Sequence, residues 1–129
     1  MSFDWSQYLL VAKELAGQGT ILSSQEARLR TAVSRAYYAA FCKASNHLRD
    51  KDRLPIARQN YEKHEHSYVI NTFDSNGDPV RHGVGQDLRR LFSKRTMADY
   101  HDNAPGLTAN QVALDLALAE LVIANVDGL

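Results

Sequence analysis

Leu29-Arg-Thr-Ala-Val-Ser-Arg-Ala-Tyr-Tyr-Ala-Ala-Phe-Cys-Lys-Ala-Ser-Asn-His-Leu48 carries apolar residues at Leu29, Val33, Ala36, Tyr37, Ala40, Phe41, Ala44 and Leu48. Steps of three and four place all of them on one face of an α-helix. The alanines leave room for a second helix to approach closely. Ser23-Ser24-Gln25-Glu26, just upstream, reads as a capping box. The spacing predicts a central core helix of about 24 residues.

On the N-terminal side, a first helix is expected from Asp4, with Gln7 completing its capping box. Trp5, Tyr8, Leu9, Ala12 and Leu15-Ala16 form its stripe, and Gly17 and Gly19 end it. On the C-terminal side, residues 50–63 are polar, mixed in charge and contain Pro55, which reads as a loop. A short helix is expected from about His66 to Phe73, followed by the turn Asp74-Ser-Asn-Gly-Asp-Pro79. The next helix starts within residues 79–86, where Gly83 and Gly85 blur its origin, and runs to about Tyr100. Asn103-Ala104-Pro105-Gly106 is a helix stop. Thr108 caps a last helix to about Asn125 that is apolar on most sides, as expected of a helix sandwiched in the fold or at a dimer interface. No stretch alternates as a strand does. The expected fold class is an all-α up-and-down bundle of four to five helices, in one domain over residues 1–129.

Fifteen Lys and Arg balance fifteen Asp and Glu, so the formal net charge is zero. That argues against a broad nucleic-acid-binding coat and against electrostatic docking on anionic membranes, but leaves room for a local phosphate site. The single cysteine, Cys42, excludes an intrachain disulfide framework and a cysteine-only metal cage, and fits a reducing cytoplasm. No leader opens the chain and no uninterrupted apolar run reaches roughly 18 residues, so no membrane is expected as partner. His64-Glu-His66 has no second ligand pair, reads as solvated loop and implies no metal; no cofactor is expected either.

The chemistry-bearing stretch is Leu88 to Asp102. Val84, Leu88, Leu91 and Arg95 share one helix face, three apolar and one cationic. A guanidinium on an apolar stripe needs a partner, because burying an unpaired charge is costly. Asp99, four residues on, can pair with it. Tyr100, His101 and Asp102 follow at the helix end, where Asp102 could orient the imidazole and Tyr100 packs. In an unbroken helix, Arg95 and His101 would be rotated by about 240° and about 9 Å apart along the axis. They converge only if the helix ends before His101, or if a second subunit supplies the other half. Arg89, Arg90 and Lys94 are candidates for a phosphate track beside them. Tyr37, Tyr38 and Phe41 read as packing residues, and His47 as a satisfied buried histidine.

Two segments carry a family resemblance. Arg30-Thr-Ala-Val-Ser-Arg-Ala-Tyr-Tyr-Ala-Ala-Phe41 resembles the second-helix signature of a prokaryotic branch of the HEPN superfamily. Arg95-Thr-Met-Ala-Asp-Tyr-His101 resembles that branch's R-x-x-A-D-Y segment and fits the wider R-x(4–6)-H ribonuclease motif. The order of elements agrees over nearly the whole chain. The resemblance implies a helical homodimer in which Arg95 and His101 of both subunits meet in a cleft and cleave RNA without metal. It also implies a toxin or phage-defence role beside an antitoxin or nucleotidyltransferase partner. Thr96 stands where active members often carry Asn, Asp or His, and many relatives have aspartate at the position of His101. The alternative is therefore a non-catalytic HEPN domain that binds a nucleotide, an RNA or a protein and dimerises.

Such residues suit the reaction. The 2′-hydroxyl of RNA attacks the adjacent phosphate, an imidazole that titrates near neutrality moves protons, and an arginine fork holds the phosphate oxygens where charge develops. The product is a 2′,3′-cyclic phosphate, and DNA is resistant.

Overall fold

The computed structural model describes residues 3–19, 21–55 and 62–129, excepting the side chains of residues 62–64. The chain folds into five packed helices: α1 (Gln7–Leu15), α2 (Gln25–Asp50), α3 (Glu62–Asp74), α4 (Pro79–Tyr100) and α5 (Ala109–Asp127). Among the described residues there is no strand. The all-α bundle expected from the periodicity is the one observed.

α2 is the axis. Its stripe of Val33, Tyr37, Ala40, Phe41, Ala44 and Leu48 is buried, and α4 and α5 pack along it. Val84, Leu88 and Leu91 of α4, Val69, Ile70 and Phe73 of α3, and Ala119, Val122 and Val126 of α5 complete one core. A smaller cluster of Phe3, Val11 and Ala27 fastens α1 to the start of α2.

Both expected capping boxes resolve differently. Asp4 does not cap α1; its Oδ1 accepts from the Ser6 amide and hydroxyl, and the helix begins at Gln7. Gln7 instead reaches across to accept the Ser24 amide at 2.7 Å. Ser24 caps α2, its hydroxyl accepting from Ala27 N at 3.2 Å. The third residue of that helix is an alanine, so α1 supplies the acceptor that a glutamate in the box would have supplied. Glu26 is thereby left for Arg30.

α3 starts before His66, and the loop expected over residues 50–63 is correspondingly shorter; residues 56–61 lie outside the described residues. The reading of His64 to His66 as solvated loop fails for His66, which is 8% exposed on a helix against the core. The side chain of His64 lies outside the described residues. Asp78 caps α4 with Pro79 in its first turn, as the turn chemistry predicts. Of the two glycines there, Gly85 has a steric reason: a Cβ at that position would lie 2.3 Å from the backbone nitrogen of Asp74. The residue lets the end of α3 lie directly on α4.

α5 is long enough and, on average, apolar enough to cross a bilayer. It is interrupted by Asp115 and Glu120 and packs along α2 and α4 through Val112, Ala119, Val122 and Val126. Its other side, with Leu114 and Leu121, is exposed, and Leu116, less exposed, lies on a different side.

Candidate functional site

The site gathers where the C-terminal end of α4 meets the first half of α2 and the N-terminal segment. Arg95 continues the buried stripe of α4, and its side chain is 12% exposed. Its Nε donates to Asp99 Oδ2 at 2.9 Å, the pair expected from their spacing. Its Nη2 donates to the Tyr38 hydroxyl at 2.6 Å, and the guanidinium lies 4.9 Å from the Tyr38 ring centroid and 5.4 Å from that of Tyr100. Two edges of the fork are thus fixed by acceptors, and two aromatic rings lie close to it.

Asp99 is held from three directions. Ser34 donates to the same Oδ2 at 2.9 Å. The Tyr8 hydroxyl lies 3.1 Å from Oδ1 and 3.0 Å from the Ala98 carbonyl, sharing its proton between them. Burial, and then the neighbouring Asp99 charge, push the Tyr8 hydroxyl well above its ordinary range, so it remains a donor.

α4 ends at Tyr100, and His101 takes an extended backbone (φ −97°, ψ 129°). This end is set by Arg30, a residue not singled out from the sequence. Arg30 is fully buried. Its Nε and Nη2 bind Glu26 Oε2 at 2.9 and 2.8 Å. Its Nη1 donates to the Ala98 and His101 carbonyls at 2.8 and 2.7 Å, and its Nη2 to the Asp102 carbonyl at 3.2 Å. The guanidinium thus donates four hydrogen bonds, and its second Nη2 contact is an ion pair with Glu26. A cation here also complements the negative end of the helix dipole and satisfies carbonyls that the helix leaves unpaired. Phe3 and Trp5 cover it, their ring centroids 4.2 and 4.9 Å from its Cζ. The signal that marked Arg95 applies equally here, since Arg30 lies three residues before Val33 and seven before Tyr37 on the same apolar stripe.

The His101 imidazole is exposed and makes no hydrogen bond or ion pair among the described residues. Asp102 does not orient it: Asp102 Oδ1 accepts from the Trp5 indole at 2.8 Å, and its carbonyl takes the Phe3 amide. The carboxylate is pulled toward the N-terminal aromatics because an indole N–H there needs an acceptor. Tyr100 is not packed in the core; it is 66% exposed and rests on Arg95. The three candidate phosphate contacts do not line up. Arg89 turns to α3, binding Asn71 and Asp74 at 2.9 and 2.8 Å. Lys94 lines a small cavity of about 80 Å³ with Val33, Met97 and Asp115. Arg90 is exposed near Asp87.

A second histidine lies on the other side of Tyr38. His66 packs against Phe41, Phe92, Tyr37 and Tyr38, with ring centroids 4.3 to 5.9 Å away. Its Nδ1 bonds the buried Tyr37 hydroxyl. Burial, and then the Arg95 charge, push it down to about 4, so it is neutral at pH 7. Sequence spacing hid this group because the start of α3 falls in a polar stretch.

His47 is mostly buried between Asp52 and Arg81, in keeping with a satisfied histidine. Among the described residues no cluster of His, Cys, Asp and Glu could hold a metal ion. Comparison of the chain with protein-family models, curated proteins and solved structures finds no match.

Proposed function

We propose that this chain is a subunit of a homodimeric, metal-independent endoribonuclease of the HEPN type, with Arg95 and His101 as its catalytic pair. The observation that carries the reading is the end of α4 at Tyr100. It frees His101 from the helical rotation that would have pointed it away from Arg95 and leaves its imidazole without an internal partner. Arg95 is pre-oriented by Asp99 and Tyr38, which suits a group that must stabilise phosphate charge without first reorganising. The exposed leucines of α5 are suited to burial against a second copy, and a second copy can bring its own Arg95 and His101 to a shared cleft. A toxin or defence role, with an antitoxin or nucleotidyltransferase partner, belongs to the same proposal.

One observation favours the alternative, a non-catalytic HEPN module. The Arg95 guanidinium is largely covered and already holds Asp99 and Tyr38, an arrangement that also serves as a structural clamp. The two readings separate when purified protein is incubated with single-stranded RNA and matched DNA in chelator, beside Arg95→Ala and His101→Ala. RNA cleavage lost in both variants supports the enzyme. RNA bound but uncut supports the module.

A further inference from the structure

We propose that the cleft between α1, α2 and the end of α4 is a specificity pocket for one nucleobase of the RNA, with Arg35 holding the adjoining phosphate. The inference rests on the ribonuclease reading and adds to it the base that the substrate must present.

The cleft has a volume of about 310 Å³. That is the small end of the range for ligand sites and suits a single nucleoside rather than a longer segment. Buried Val11 forms its apolar floor, Ala12 and Leu15 line it as exposed residues, and Tyr100, two-thirds exposed, stands at one wall. An apolar floor beside an exposed aromatic ring is the surrounding in which an unstacked base is held.

The polar wall is made of acceptors. Thr31, Ser34 and Tyr8 have given their hydroxyl protons to Ala27 O, to Asp99 and to the Ala98–Asp99 pair. Their remaining lone pairs, and the one acceptor position that Arg95, Ser34 and Tyr8 leave on Asp99 Oδ1, suit a ligand that can donate. Guanine offers adjacent N1–H and exocyclic N2–H donors, which the position left on Asp99 Oδ1 and a neighbouring hydroxyl oxygen can accept side by side. Arg35 is exposed on the rim and makes no hydrogen bond or ion pair among the described residues. It is the cation at this cleft not already spent on the fold. A base seated here is also coupled to Arg95, because Asp99 and Tyr100 each touch both the cleft and that guanidinium.

The test uses guanosine 3′-monophosphate and uridine 3′-monophosphate as probes, titrated into the full chain and followed by amide NMR shifts. The expected result is saturable shifts at Val11, Leu15, Arg35 and Tyr100 with the guanosine nucleotide, at least fivefold weaker with the uridine nucleotide. Arg35→Ala should weaken guanosine binding at least fivefold, and Leu15→Glu should abolish it. Both substituted side chains are exposed, and an unchanged melting temperature confirms that each variant is folded. Shifts elsewhere only, equal binding of both nucleotides, or full binding by Arg35→Ala overturns the proposal. If RNA is cut but the cleft stays empty, this inference falls and the nuclease reading stands. If the cleft fills but no RNA is cut, the nuclease reading falls and the pocket stands.

Discussion

The buried guanidinium of Arg30 donates to the carbonyl of His101 at 2.7 Å, so a residue early in α2 fixes the backbone of the candidate catalytic histidine on α4's far side. Three carbonyls and Glu26 depend on the same fork. Replacing Arg30 by Met should cost about 3 kcal/mol or more, since it strands the His101 carbonyl, leaves the Ala98 and Asp102 carbonyls with only Tyr8 and the Phe3 amide as side-chain or loop donors, and takes the partner from Glu26. Arg30→Lys should recover little, because an ammonium cannot reproduce the planar five-donor pattern. Chemical denaturation of the three proteins checks this; an Arg30→Lys variant as stable as the parent would refute it.

His101→Ala should behave in the opposite way. The ring is exposed and bonded to nothing among the described residues, so unfolding free energy should change by no more than about 0.5 kcal/mol. RNA cleavage, if His101 moves the proton, should fall by at least about 100-fold. A cleavage assay and a melting curve on one preparation separate the two effects.

Arg95→Ala should reduce cleavage by about 100-fold or more, the usual loss when a charge-stabilising donor is removed. It should also loosen the fold, because Asp99 and Tyr38 lose a shared partner. Tyr38→Phe removes one of those bonds while keeping the ring near the guanidinium, and should cost about 1 kcal/mol. Equal activity in Arg95→Ala and the parent would remove Arg95 from the chemistry.

His66 makes stability depend on pH. Its folded value, about 4, lies below the ordinary 6.5 of an unfolded chain. The unfolded state therefore binds a proton first as pH falls. The contribution is fully present above about 6.5, declines between there and about 4, and is flat below. Over that window the loss should be on the order of 2 to 3 kcal/mol. His66→Gln should flatten the decline in a pH series of urea melts; an unchanged slope would show that other groups cause it.

Two glycines of α4 should respond with opposite signs. Gly85→Ala places a methyl against the Asp74 backbone and should destabilise by more than about 2 kcal/mol. Gly83→Ala meets nothing within 4 Å and should stabilise by about 0.5 to 1 kcal/mol, as expected inside a helix. Thermal melts of the two variants decide it.

Helical periodicity made the bundle legible. Leu29 to Leu48 and Val84 to Arg95 each marked their buried face, and Arg95 with Asp99 followed from a spacing of four. What stayed hidden was mostly non-local. Gln7 bonds Ser24, Trp5 bonds Asp102, and Tyr8 bonds Asp99, and no local pattern announces a hydrogen bond between residues seventeen to ninety-seven apart. Arg30 is an arginine on the core stripe of α2, legible by the same spacing as Arg95, but its acceptors lie some seventy residues away at the end of α4, where no local pattern points to them. His66 was masked by its polar neighbours, since a helix that begins in a charged stretch gives little periodic contrast.

The Phe3 amide on the Asp102 carbonyl brings the beginning of the chain beside the residues that follow α4. The other terminus leaves from the opposite pole: Asp127 pairs with Lys43, thirteen residues and roughly 20 Å further along α2 than Arg30. An affinity handle or fluorescent fusion attached ahead of Phe3 would crowd the candidate site. One attached after Leu129 would stand clear of it, so the choice of fusion end will itself decide whether an inactive preparation means anything.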